Sequence, residues 1–130
     1  MEIKFRAFVK HLGQLADVLS IDFLDSEVEI YLVDRDEIRK YRFGEDEIVL
    51  LPFTGLKDKN GKEIYDGDIV KSDNGESIDK IVYKQGAFYV ESLKGDLLDE
   101  LLSDVETEVI GNIFQDGDLL RDCWRDRNEP

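Results

Sequence analysis

The chain has 130 residues, 42% of them hydrophobic, which is one domain's worth and enough to bury roughly two thirds of its unfolded surface. Its 31 acidic against 17 basic residues give a formal charge of −14, and the cations are scattered with carboxylates close by. Such a field repels nucleic-acid phosphates and acidic membranes, so direct nucleic-acid binding is disfavoured and a basic partner is easier to accommodate. One cysteine, Cys123, excludes an internal disulfide and suits a reducing compartment. With no signal peptide and no stretch of membrane-spanning length, the expected location is the cytoplasm.

In chain order, Ile3, Phe5, Ala7 and Val9 alternate with Lys4, Arg6, Phe8 and Lys10, the period of a half-buried strand, with Phe8 interrupting the polar face. His11 to Gly13 turns the chain. Leu15 to Phe23 and Val28 to Val33 read as two strands joined in a hairpin at Asp25-Ser26-Glu27. Asp34 to Arg39 is a charged interruption with room for a helical turn, and Tyr41 to Phe43 and Ile48 to Phe53 resume apolar character. Pro52, lacking a backbone donor, is expected at a strand end or a sheet edge.

Thr54 to Val70 packs three glycines and an Asn-Gly pair into compact turn machinery. Asn60-Gly61 predicts a type I′ hairpin turn and Asp66-Gly67 a second turn. Between them a short strand carries Ile64 and Tyr65 to the core, and Asp68 to Ser72 follows as a strand proper. Turns at Asp73-Asn74-Gly75 and Lys84-Gln85-Gly86, with strands at Ile78 to Tyr83 and Ala87 to Glu91, predict a meander curling into a small barrel. Leu97, Leu98, Leu101, Leu102 and Val105 share one helical stripe, so an amphipathic helix is predicted over 96–105 with Asp96 as its N-cap. Val109 to Phe114 returns as a strand, and Gly117-Asp118 opens a short turn before the charged tail. The expected organisation is a single domain over residues 1–120, with N-terminal strands in 1–53, signature and barrel strands in 54–114, and a tail over 121–130.

The chemistry-bearing residues are sparse. Asp58, Glu63, Asp66 and Asp68 crowd the glycine turns, but the alternating ligands and closing Glu of a calcium loop are absent, and turn preference accounts for them. His11 and Cys123 stand alone at opposite ends, so no nucleophile and base pair is advertised. Gly55, Gly61 and Gly67 recur every six residues, yet a strand follows where a phosphate-binding loop would open a helix. No catalytic, cofactor-binding or metal residue is therefore assigned, and no cofactor is expected. Asp96, Asp99, Glu100, Asp104 and Glu106 form a candidate acidic interaction face, either the solvated side of the helix or an imitation of DNA phosphates.

The string from Thr54 to Val70 closely resembles the signature of the YopX family, small proteins of bacteriophages and prophages. Ile3-Lys-Phe-Arg-Ala-Phe8 resembles the family's first strand, Ser20-Ile-Asp-Phe23 a second block, and Glu108-Val-Ile-Gly-Asn-Ile-Phe114 its closing segment. One departure is Phe8, where the family often has Trp. On this resemblance Thr54, Gly55, Leu56, Asn60, Gly61, Ile64, Tyr65, Gly67 and Asp68 are signature positions with a structural, turn-forming role. The resemblance implies a mainly β, phage-encoded accessory protein in a bacterial host cell, and no catalytic activity comes with it. The expectation is a non-enzymatic protein acting on a host or phage protein, with homo-oligomerisation open. The alternative is an acidic DNA mimic that inhibits a host nucleic-acid-binding protein.

Overall fold

Val28, Ile30 and Leu32 alternate with Glu29 and Tyr31, and in the computed structural model this pattern is a strand whose side chains are buried and half-buried in turn. The structure describes residues 3–43, 47–72, 78–92, 97–100 and 107–116. Compact units lie on either side of the Phe53–Thr54 bond. The first six strands are β1 (Phe5–Val9), β2 (Gln14–Asp22), β3 (Glu27–Leu32), β4 (Glu37–Arg42), β5 (Ile48–Lys57) and β6 (Glu63–Tyr65). They form one sheet in the order β4-β3-β2-β1-β5-β6, with the pairs from β4 to β5 antiparallel.

The first unit's core is entirely apolar: Ala7, Val9, Ala16, Val28, Ile30, Leu32 and Ile48, flanked by Leu12, Val18, Ile21, Tyr41, Phe43 and Leu50. β1 lies between β2 and β5, which explains Phe8: Ala7, Phe8 and Val9 are consecutive and all buried, so this strand is covered on both faces. The charged interruption after β3 contains a 3-10 turn at Val33–Arg35, ended by Asp36 in the left-handed region, and β4 starts one residue later.

The second sheet comprises β7 (Asp68–Ser72), β8 (Ile78–Lys84), β9 (Ala87–Glu91), β10 (Leu97–Glu100) and β11 (Thr107–Asn112), in the order β10-β9-β8-β7-β11. Strands β7 to β9 are the predicted meander, β10 adds beyond β9, and β11 adds to the free side of β7. Ile64, Val70, Ile81 and Val109 form its core, with Phe88 and Val90 against them. The protein is thus mainly β, as the sequence predicts, and its strands form two antiparallel sheets. A barrel-like description is compatible with them, although neither strand order closes into a ring.

Three local expectations need correction. Leu97–Glu100 is a strand, not part of a helix over 96–105, while Asp96 and residues 101–105 lie outside the described residues. Its backbone pairs with β9 at Leu97↔Glu91, Asp99↔Val90 and Glu100↔Tyr89, with a bulge between Leu97 and Asp99. Ladder pairing along β9 outweighs a helical periodicity worth only a few tenths of a kcal/mol per residue. Pro52 is inside β5, which runs on to Lys57, so it does not mark the end of a strand. Phe53 N–H donates to Lys4 O at 2.8 Å, and neighbouring strand residues point their amides to opposite sides, so Pro52's missing donor faces away from β1.

The third correction concerns the hairpin turns. At Asn60-Gly61 only the glycine has positive φ (82°), so the turn is not type I′. The type I′ pattern of two consecutive positive φ values occurs at Gln85 (50°) and Gly86 (82°), between the paired residues Lys84 and Ala87. The predicted turns at 73–75 and 117–120 lie outside the described residues.

Candidate functional site

The signature stretch begins as strand. Thr54 to Lys57 completes β5, with Gly55 at φ 87°. The buried Thr54 hydroxyl donates to Ile64 O at 2.7 Å and accepts from Leu56 N–H at 3.1 Å, tying β5 to β6.

Asp58 organises the turn that follows. The residue is 6% exposed. Oδ1 accepts from Asn60 N–H (2.8 Å) and Lys62 N–H (2.9 Å), while Oδ2 accepts from Val109 N–H of β11 (2.9 Å). The Asp58 amide donates to Lys62 O and Gly61 N–H donates back to Asp58 O, closing the loop with Gly61 in the left-handed region. This is why the turn is not type I′: the carboxylate takes amides that a tight two-residue turn would leave to the strand ladder. Burial alone would raise the pKa of Asp58, but the amides of Val109, Lys62 and Asn60, helped by the Lys62 charge, hold it below its ordinary value. It is a fixed anion.

Gly67 is the second pivot. Its φ is 88°, its N–H donates to Ile81 O and its carbonyl accepts from Ile113 N–H, both at 2.8 Å. A Cβ there would come within 2.9 Å of Phe114 Cε2, so both the conformation and the space require glycine. On its two sides Asp66 Oδ1 accepts from Tyr83 N–H (3.1 Å) and the fully buried Asp68 accepts from Tyr65 N–H (2.8 Å). Ile64 and Tyr65 are buried as expected. Of the signature residues, Thr54, Ile64, Tyr65, Gly67 and Asp68 are buried, Leu56 is half-buried, and Gly55, Asn60 and Gly61 are exposed.

Two buried polar residues of this unit give no obvious sign in the sequence. Asn112 ends β11, where Oδ1 accepts from Phe114 N–H (3.0 Å) and Gln115 N–H (2.9 Å), setting the turn that carries Phe114 to Gly67. Glu91 lies between Lys80 Nζ (2.9 Å) and Lys84 Nζ (2.7 Å), with Lys80 its cross-strand neighbour. The Lys84 ammonium, against the opposing effect of burial and with the help of Lys80, holds the Glu91 carboxyl below its ordinary value. The importance of Asp58 had one visible signal, an aspartate two residues before Asn-Gly, the spacing of an Asx turn.

Of the candidate acidic face, Asp99 and Glu100 belong to β10, and Asp96, Asp104 and Glu106 lie outside the described residues. Among the described residues no group of three or more His, Cys, Asp or Glu is placed to hold a metal ion, and no helix is long and apolar enough to cross a membrane.

These features define a class: a mainly β protein of two antiparallel sheets in which a glycine-rich segment is locked by buried carboxylates. The chain belongs to the YopX family, whose model, described as "YopX protein", matches residues 4–121. A crystal structure of protein EF1440 from Enterococcus faecalis is similar at 27% identity and a TM-score of 0.66, over 92% of this chain and 99% of that one. The crystal structure of YopX from Bacillus subtilis shares the fold at 22% identity and a TM-score of 0.55, over 88% and 95%. No curated protein matches the chain.

Proposed function

We propose that this protein is a non-enzymatic accessory protein of a phage or prophage that acts in the cytoplasm by binding another protein. The observation that carries the reading is how the signature spends its carboxylates. Asp58, Asp66 and Asp68 each accept from backbone amides, and Glu63 accepts from the Tyr65 hydroxyl at 3.3 Å. Acids employed in this way hold a shape and are poorly placed to exchange protons with a substrate. The charge of −14 supports a protein partner over nucleic acid.

The same charge favours a second reading, an acidic mimic of DNA. Recovery of the tagged protein from host lysate, with nuclease present and at low and high salt, separates the two. A partner retained at high salt is expected. A DNA-binding protein released by salt and displaced by added DNA would replace the first reading with the second.

A further inference from the structure

The first unit, whose core is closed and apolar, leaves an apolar surface at one end of its sheet. Ile3, Phe5, Val18, Leu19, Ile21 and Phe23 line a cleft of ≈330 Å³, with Lys4 and Ser20 as its polar members. At the small end of the ~300–1,000 Å³ range of ligand clefts, it has room for one or two apolar side chains and not for a large cofactor. Beside it, the β2–β3 turn projects Phe23 (74% exposed) and Leu24 (97% exposed), while Ile3 is 85% and Leu19 51% exposed.

The projection is held rigidly. Asp22 Oδ1 accepts from Leu24 N–H (3.0 Å) and Asp25 N–H (3.2 Å), Ser26 takes φ 55°, and Phe43 N–H donates to Ser26 O at 2.9 Å. The Phe23 ring meets Phe43 edge-on at 6.0 Å between centroids. A hairpin stiffened in this way loses little entropy on docking, the property of a binding anchor.

We infer that this end of the sheet is a self-association surface, on which the Phe23-Leu24 turn of one copy seats in the Ile3–Leu19 cleft of a second copy and the reverse. The inference rests on the protein-binding reading above and names a partner for it. A two-fold interface uses the same patch on both subunits, so it needs projection and recess side by side on one surface, which is the arrangement here. The area agrees. Taking ~200 Å² for each full-sized apolar side chain, the four exposed residues offer about 600 Å², the upper limit for a patch on a monomer. Two such patches bury about 1,200 Å², the lower bound for a stable interface. Lys4 is the one charged residue lining the cleft, so a partner selected by the acidity of this chain would have little to recognise there.

Sedimentation equilibrium of the full chain over a wide concentration range, at about 0.05 M and about 0.5 M NaCl, tests it. A dimer is expected that tightens with salt, because screening relieves repulsion between copies of charge −14 while an apolar contact persists. Phe23→Ser/Leu24→Ser, and separately Leu19→Glu in the cleft, should each weaken dimerisation at least about tenfold while the monomer stays folded, since these side chains are largely exposed. A wild type that stays monomeric throughout, or variants that associate like the wild type, would overturn the inference. Either result leaves the protein-binding reading standing if the lysate experiment recovers a different protein, and a dimer that recovers none confines that reading to self-association.

Discussion

The two units solve the same problem with different chemistry. In the first, the buried residues among those described are all apolar, and its sheet is held by packing across Ala7, Val9, Val28, Ile30 and Leu32. In the second, the apolar cluster is small, and the six buried polar or charged residues among the described residues occur here: Thr54, Asp58, Asp68, Asp79, Glu91 and Asn112. Packing is forgiving of shape and indifferent to pH, whereas a carboxylate among amides is directional and depends on its charge. The first unit should therefore tolerate conservative change that the second does not.

The largest effect is expected at Asp58. Asp58→Ala leaves the amides of Asn60, Lys62 and Val109 without their acceptor and should cost about 3 kcal/mol, read by urea unfolding. Asp58→Asn should cost about 1–2 kcal/mol, because its carbonyl serves one side of the site while its NH₂ faces an N–H. Equal behaviour of the two variants would show that charge and geometry matter less here than proposed.

Gly67→Ala comes next, at about 2–3 kcal/mol, since it adds a clash with Phe114 to a positive φ. Gly61→Ala has the same φ problem with nothing within 4 Å of its new methyl, so about 1 kcal/mol is expected. The difference between the two glycines isolates the cost of crowding from that of backbone conformation. Ile30→Val in the first unit should cost about 1 kcal/mol, the ordinary loss of one buried methylene.

Acid sharpens the contrast. Asp58 and Glu91 both have folded-state pKa values below their unfolded ones, so in acid the unfolded chain binds more protons. Their stabilisation is complete above about pH 4.5 and is lost as pH falls through the lowered values. Amide exchange below that pH should rise in β7, β8 and β11 before it rises in β1 and β3, and Asp58→Asn should reduce the acid dependence.

What was legible in the sequence follows the same division. Alternation wrote β3 plainly, because Val28, Ile30 and Leu32 meet one apolar core and Glu29 and Tyr31 do not. The meander from β7 to β9 was marked by its glycine turns, and the glycines of the signature by their left-handed φ. The leucines at 97–102 misled because a period of four says how side chains are spaced and nothing about the unpaired amides of a neighbouring strand. The role of Asp58 was half visible. Its local amides lie two and four residues away, but Val109 is 51 residues off, and a contact of that span leaves no trace in spacing.

That last bond also sets an order of assembly during synthesis. The hairpins β1–β2, β2–β3 and β3–β4 pair near neighbours in sequence and have all their residues once residue 42 has left the ribosome, while β1 waits for β5, whose Pro52 pairs with Phe5. The turn at Asp58 can draw on Asn60 and Lys62 almost as soon as they emerge, yet Oδ2 and the free side of β7 wait for β11. For some fifty residues of translation the nascent chain carries an incomplete edge and a carboxylate still short of a donor, a contact-order delay much like the one β1 undergoes before β5 reaches it.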